Sequence, residues 1–397
     1  MSSQRGTSNI KSDTLGNGYR CSRVLFVVAT FFYWAALYLY VPVLPVYAES
    51  VVKSLSMVGI IISSYALPQL LFRIPIGLHF DRTRRRKPLV QAGLLLVSAG
   101  AVGLAFAGSG WTLAAARAVT GVGAAAWVAF TVFFTGYYGS EQAARAIGVI
   151  NSVNQIAQVV ATGSGGMIVD AAGYRAVFLT AGLLGLLGVV ALGFAREPRG
   201  QVRSASAKSF RHVASSPLLL TAAGMAVLLQ FANFASVFGF VPVYGARIGA
   251  SGSELGVITM LTLGSSAVAA YMCVRIAERL TYSRTIALGA VILAASLLAV
   301  PATSTPAELA VVQLASGFGR GSLATLLMAL SIRSASPGTR ATAMGVFQAV
   351  YAAGMLTGPA VSGVIAESLS LAVVFQVSAA LCLLLAIAAF HPVLRRA

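Results

Sequence analysis

The sequence predicts an all-α membrane protein of twelve transmembrane helices in two pseudo-symmetric six-helix bundles. Three observations predict it. Of 397 residues, 58% are hydrophobic and 10% charged, whereas a soluble chain carries about 25% charged residues. The apolar residues form unbroken blocks such as 24–47, 89–107 and 371–390, each near the ~20 residues a helix needs to cross the hydrocarbon core. The second half of the chain also repeats the first at a fixed shift of 197 residues.

The expected spans begin near Val24, Ser56, Pro88, Trp111, Ala144, Arg175, Pro217, Ser253, Arg284, Pro306, Ala341 and Ser370. Lysine and arginine are retained on the cytoplasmic side of a membrane and therefore test the topology. With both termini inside, the cytoplasmic segments hold 22 of the 28 basic residues, including the cluster at 82–87. The external loops then hold Lys53, Arg175 and Arg247, and the spans hold Arg73, Arg117 and Arg320. The net charge of +18 is thus mainly topogenic and does not call for nucleic acid. Residues 1–23 are polar and serine-rich, the composition of a disordered cytoplasmic tail. Residues 24–195 form the N-terminal bundle, 196–216 a polar cytoplasmic linker, 217–392 the C-terminal bundle and 393–397 a short cytoplasmic tail.

The repeat is visible residue by residue. Gly148 matches Gly345, Val153 matches Val350 and Gly166 matches Gly363, all at 197. The same shift carries Pro45-Val46-Tyr47 onto Pro242-Val243-Tyr244, Gly59 onto Gly256, and Asp81-Arg82 onto Glu278-Arg279. A slip to 196 pairs Gly121 and Gly123 with Gly317 and Gly319. A constant shift means two parallel halves related by an axis along the membrane normal, an arrangement in which the halves rock about a shared midplane cavity.

The loop after the second span reads Gly77-Leu-His-Phe-Asp81-Arg82-Thr-Arg84-Arg85-Arg86-Lys87. It resembles the signature G-x-x-x-D-R/K-x-G-R/K-R/K of the major facilitator superfamily of secondary transporters, with Arg84 in place of the second glycine. A worn copy in the second half retains Glu278 and Arg279. The resemblance implies a conformational latch at Gly77, Asp81, Arg82, Arg85 and Arg86, because a carboxylate at a helix end pairs with the neighbouring bundle in one state only. Arg117-x-x-x-Gly121-x-Gly123 in the fourth span resembles the family's second motif, whose arginine is linked in relatives to proton coupling and helix organisation. A buried cation costs a few kcal/mol; here it either lines the cavity or bonds backbone carbonyls of the first span. Gly354-x-x-x-Gly358-Pro359-x-x-x-Gly363 in the eleventh span is similar to the glycine-proline motif that exporters of the family carry in the fifth. The fifth span here has Gly163, Gly165 and Gly166 without the proline.

Polar residues on the helices that line the cavity in such a family are the candidate substrate contacts. Asn151, Asn154, Gln155 and Gln158 share one face of the fifth span, and their repeat mates include Gln348 and Tyr351. Gln230 and Asn233 lie one turn apart on the seventh span, and Tyr33 is the mate of Gln230. These carboxamides either face the cavity or bond neighbouring helices. Arg320 places a second cation on the tenth span, the pseudo-symmetric counterpart of the fourth. None of the ten acidic residues falls at the middle of a span. A cavity with arginines and no carboxylate favours an anionic, zwitterionic or polar neutral substrate.

These features describe a secondary active transporter of a small solute in a bacterial plasma membrane. The expected direction is export and the expected unit a monomer, with protons as a candidate coupling ion. The alternatives are an uptake symporter or facilitator for an organic anion or sugar-like solute, and a lipid flippase, whose apolar half-cavity Trp127, Phe130, Phe133 and Phe134 would line. No cofactor and no metal are expected: Cys21, Cys273 and Cys382 are isolated, and His79, His212 and His391 are scattered. No nucleotide-binding loop or nucleophile motif is present, so the sequence does not describe an enzyme.

Overall fold

The computed structural model describes residues 19–83, 85–138, 142–198, 213–336 and 339–395, and all regular structure among them is helical. Ten stretches are long and apolar enough to cross a membrane by length and composition. One of them, 145–194, is two spans: at Gly173 the backbone turns to φ 78° and ψ 174°. A Cβ there would meet open space, so the positive φ and not crowding requires glycine. The tenth span, Pro306–Arg333, comes in addition, less apolar because it carries Glu308, Arg320 and Arg333. Among the described residues the total is twelve. The first helix begins at Arg20, four residues before Val24. Arginine stems extend a span while their heads stay at the surface, and the Arg23 guanidinium rests 4.7 Å from the Tyr138 ring centre.

With an even number of spans, both termini share one face, here termed proximal; the other is distal. Each even-numbered span starts at the distal face, and five hydroxyl residues mark those starts. Ser54, Ser109, Ser251, Thr305 and Ser370 accept the N–H three residues on, at 3.2–3.4 Å. Such caps satisfy donors that a helix end leaves without intrahelical partners.

The repeat survives in the packing. The first span is interrupted at 39–43, where Pro42 removes a donor, and the seventh at a π-turn, Ser236–Phe240. These two interruptions lie 197 residues apart. Within each half the helices approach through glycine: Gly123 lies against Val97 and the Gly93 carbonyl, and Gly319 against the Gly289 carbonyl and Leu293. The halves meet along two seams, fifth span on eighth and second span on eleventh. Gly166 and Gly256 form the first contact, and Gly59 and Gly363 the second. Of the motif in the eleventh span, only Pro359 and Gly363 face the other half. Gly354 and Gly358 lie against the backbone of Val227 and Phe231 in the seventh span, so they close the C-terminal bundle and not a pivot between halves.

One turn carries strain. Thr281, between the eighth and ninth spans, has φ 93° and ψ 153°, a region that essentially only glycine occupies at no cost. A side-chain residue there costs on the order of 1–3 kcal/mol. It is the repeat mate of Arg84, the position where the family signature has glycine. Thr281→Gly is therefore expected to raise stability by about 1 kcal/mol, read as a higher thermal unfolding midpoint of the purified protein.

Candidate functional site

The twin interruptions of the first and seventh spans face each other beside a small, partly open cavity of about 20 Å³, room for about one water molecule. Its wall consists of Leu37, Tyr38, Val41 and Leu44 from the first span, Ile62 and Tyr65 from the second, Arg117 from the fourth, and Phe234 and Phe238 from the seventh. Among the described residues, no carboxylate belongs to this wall. Breaking a helix at membrane depth is tolerated where the backbone lines a cavity or lies buried in protein, which is the setting of both interruptions.

Arg117 is 5% exposed. Its Nη1 donates to the Tyr40 hydroxyl at 3.0 Å and to Thr120 Oγ1 at 3.5 Å. The guanidinium lies 4.2 Å from the Tyr65 ring centre and 5.4 Å from that of Tyr40. Its partner on the first span is thus a tyrosine side chain, in place of the backbone carbonyls considered from the sequence. The Nε atoms of Arg117 and Arg320 are buried and have no hydrogen-bond partner among the described residues. Arg320 lies 5.8 Å from the centre of the Phe238 ring and is not itself part of the cavity wall. Tyr38 stands within electrostatic reach of both arginines. Arg320 is not the repeat mate of Arg117; at the shift of 196, that mate is Gln313. Gln313 is fully buried and its amide atoms lack partners among the described residues, so the two halves carry different chemistry at equivalent depth.

The other expected residues lie around this cavity in several groups. Tyr33 is fully buried below it, donating to the Gly123 carbonyl at 2.9 Å and stacked on Phe130 at 4.3 Å. It braces the first span on the fourth and is absent from the cavity wall. Gln158 donates to Asn154 on the fifth span, where Asn151 is half-buried. Asn233 donates to Gln230 at 3.1 Å and keeps a buried Oδ1 without a partner; both precede Phe234. Gln348 is half-buried. Tyr351 joins the halves: Arg73 Nη1 donates to its hydroxyl at 3.4 Å, and Arg73 Nη2 to Gln69 Oε1 at 2.6 Å. Trp127, Phe130, Phe133 and Phe134 are buried against Phe26 and Tyr33. They fill the core of the N-terminal half, so they do not line the apolar half-cavity that a flippase reading required.

Gly77, Asp81 and Arg82 lie in the helix that runs from Ala66 to Arg82, and the side chains of Asp81 and Arg82 lie outside what is described. Arg85, Glu278 and Arg279 are exposed. The backbone N–H of Arg86 donates to Glu197, which also accepts from Lys87 N–H at 3.4 Å. Lys87 Nζ donates to the carbonyls of Gly193 and Ala195 at 2.6 and 2.8 Å. This part of the loop is therefore tied to the end of its own half. Tyr38, Tyr40, Phe234 and Phe238 went unnoticed in the sequence, because aromatic residues in an apolar span look like packing. Their nearness to the prolines and glycine of the twin interruptions, aligned by the repeat, was the available signal.

Comparison with known proteins agrees with this architecture. The chain is 31% identical over 154 residues to the inner membrane transport protein YajR of Escherichia coli, covering 38% of this chain and 34% of that protein. It is 27% identical over 330 residues to the vesicular acetylcholine transporter of Rattus norvegicus, covering 79% of this chain and 61% of that protein. The matched stretches thus span about a third to three fifths of these relatives. Among solved structures, a bacterial homologue of the human lysosomal transporter Spinster, in an inward-facing and occupied conformation, superposes with a TM-score of 0.78 at 16% identity, covering 93% and 95% of the two chains. The nucleoside transporter NupG gives a TM-score of 0.79 at 13% identity, covering 93% and 98%; at such identities these two speak for the fold alone. The family model of the Major Facilitator Superfamily matches residues 26–251 and 223–396. Two six-helix halves beside a cavity between interrupted first and seventh spans, together with a match over nearly the whole chain, show that this protein belongs to the major facilitator superfamily.

Proposed function

We propose that this protein is a secondary active exporter that moves a small anionic, zwitterionic or polar neutral solute by alternating access. The observation that carries the reading is the cavity itself: among the described residues it is walled by aromatic and aliphatic side chains and Arg117, with no carboxylate, and the Arg320 guanidinium lies 5.8 Å from the centre of the Phe238 ring in that wall. Two guanidinium groups in a low-dielectric space attract negative charge and repel a cation. The vesicular acetylcholine transporter is named for a cationic ligand; without a carboxylate in the cavity wall, that chemistry does not carry over. The aromatic rings supply apolar area beside the charge, the usual division of labour in a small-molecule site.

The rocking units in this reading are 24–195 and 217–392, joined by the linker 196–216, and a single chain holds both. The distribution of the basic residues supports a cytoplasmic location for both termini, and the Ala-, Val-, Gly- and Arg-rich composition supports a bacterial plasma membrane. The loop 77–87 acts as the cytoplasmic latch through Asp81, Arg82, Arg85 and Arg86. Short loops and the glycine-proline motif of the eleventh span favour export over uptake. Protons remain the candidate coupling ion, carried by a carboxylate outside the cavity or by the substrate.

A metabolite comparison tests the proposal. Cells expressing the wild type and cells expressing Arg117→Ala/Arg320→Ala, at equal membrane abundance, are compared in cytosol and medium. An anionic or polar compound enriched in the medium only with the wild type is the expected result. A compound drained from the medium would reverse the direction, and a cationic one would sink the substrate class.

A further inference from the structure

The distal face carries two carboxylates that the cavity does not use. Asp170, at the exposed end of the fifth span, accepts the N–H of Gly252 at 2.9 Å and that of Ser253 at 2.7 Å. Glu367, at the exposed end of the eleventh, accepts the N–H of Ser56 at 2.7 Å and the Ser54 hydroxyl at 2.8 Å. Each carboxylate belongs to one half of the molecule and each helix start to the other. Asp170 and Glu367 are 197 residues apart, as are Ser54 and Ser251, and Ser56 and Ser253. The same contact is therefore built twice across the repeat axis.

These contacts are more than local capping. Ser54 and Ser251 already take the third N–H of their own helices, from Met57 and Glu254. The carboxylates take N–H groups ahead of it, at the positive end of the helix dipole, from across the interface. Directly beneath each lies one of the glycine seams. A Cβ built at Gly256 would stand 3.2 Å from the Gly166 Cα, and one built at Gly363 would stand 3.1 Å from the Gly59 Cα. Backbones at that distance leave no room for relative motion while the carboxylates hold. A third distal contact, Arg247 with Glu49 at 2.7 Å, is an exposed pair at 50% and 27% accessibility. It lacks a repeat mate, since Ser50 stands at the position equivalent to Arg247, and exposed pairs contribute little.

We propose that Asp170 and Glu367 form a two-fold-related latch that holds the distal face closed and releases when the cavity turns to that side. The distal face is the outer one under the orientation proposed above, but the latch does not depend on that orientation or on the substrate. Rocking that opens the distal face must part the fifth span from the eighth and the second from the eleventh there, so both carboxylates let go in the same step. The protein then carries one latch per face, the segment 77–87 proposed above at the proximal side and this carboxylate pair at the distal side. The attraction is between a full charge and the helix start, so a neutral side chain of the same shape loses most of it.

Distance measurement between spin labels on the reconstituted full chain tests this. Gly108→Cys and Ala302→Cys place labels on exposed distal loops of the two halves, with Cys21→Ser removing the exposed native thiol. The wild type is expected to show mainly the short distance. Asp170→Asn/Glu367→Gln is expected to increase the long-distance fraction at least fivefold, with each single variant in between should the double variant not accumulate. Asp170→Glu/Glu367→Asp keeps the charge and is expected to stay closed. Neutral variants with unchanged distances would overturn the latch, as would a charge-retaining swap that opens the face equally, or a wild type that already sits mainly at the long distance.

Discussion

Arg117→Ala is expected to lower transport at least tenfold while lowering the stability of the protein by no more than about 2.5 kcal/mol. The two effects separate because the stabilising and destabilising contributions of this residue are of similar size. Burying an arginine at membrane depth costs about 2.5–3.5 kcal/mol on insertion scales. Against that stand the hydrogen bond from the guanidinium to Tyr40, about 1.5–3 kcal/mol for a charged donor, and stacking on the Tyr65 ring, about 2 kcal/mol when desolvated. The balance favours the arginine by only about 0–2.5 kcal/mol, so stability is a weak account of a cation in this wall. Arg117→Lys keeps the charge but loses the planar group that lies on Tyr65; it is expected to recover only part of the transport. The check is a pair of measurements on each variant: export of the compound identified by the metabolite comparison, and the unfolding midpoint of the purified protein. A large fall in the midpoint, with transport falling in proportion to folded protein, would assign Arg117 to the scaffold instead.

The second large effect is expected at the glycine seams. Gly59→Leu and Gly256→Leu should each bring transport to background while the protein still inserts and both bundles fold. A Cβ at Gly59 would overlap the Pro359 carbonyl, and one at Gly256 would come within 2.8 Å of the Thr162 carbonyl. Backbone groups inside a helix do not move aside as a flexible side chain would. The added side chain is therefore accommodated by separating the halves at the distal face, where the spin-label distances should lengthen. Gly264→Leu is the control: it lies on the same eighth span, and a Cβ there meets nothing within 4 Å. Transport loss in the control equal to that in the seam variants would mean that bulk on this helix, not closure of the seam, is what transport resists.

Much of the fold was legible because its cause acts along the chain. A span needs a given length of apolar residues whatever its neighbours are, so the twelve segments appear in composition alone. The serines and threonines that start the even spans appear as well, since each satisfies an N–H three residues away. The site was less legible. Tyr38, Phe234 and Phe238 carry no polar pattern that distinguishes a cavity wall from a packed face. Tyr33 and Gln230 look equivalent by the repeat, yet Tyr33 is bonded to Gly123 inside one half and Gln230 to Asn233 on its own helix. The mismatch of Arg117 with Gln313 was available in the sequence through the 196 shift, and was obscured because the arginine at 320 stood close to the expected place.

By itself, then, the sequence determined the number of spans and the two-half architecture, because hydrophobic length and a constant repeat shift are properties of the chain. Tertiary structure alone decided which residues wall the cavity, which glycines join halves and which close a bundle, and that Asp170 and Glu367 reach helix starts of the opposite half. Those contacts join residues 82 and 311 positions apart. They are set by the direction in which each side chain leaves its helix and by how closely two backbones approach, quantities that no local pattern of residues contains.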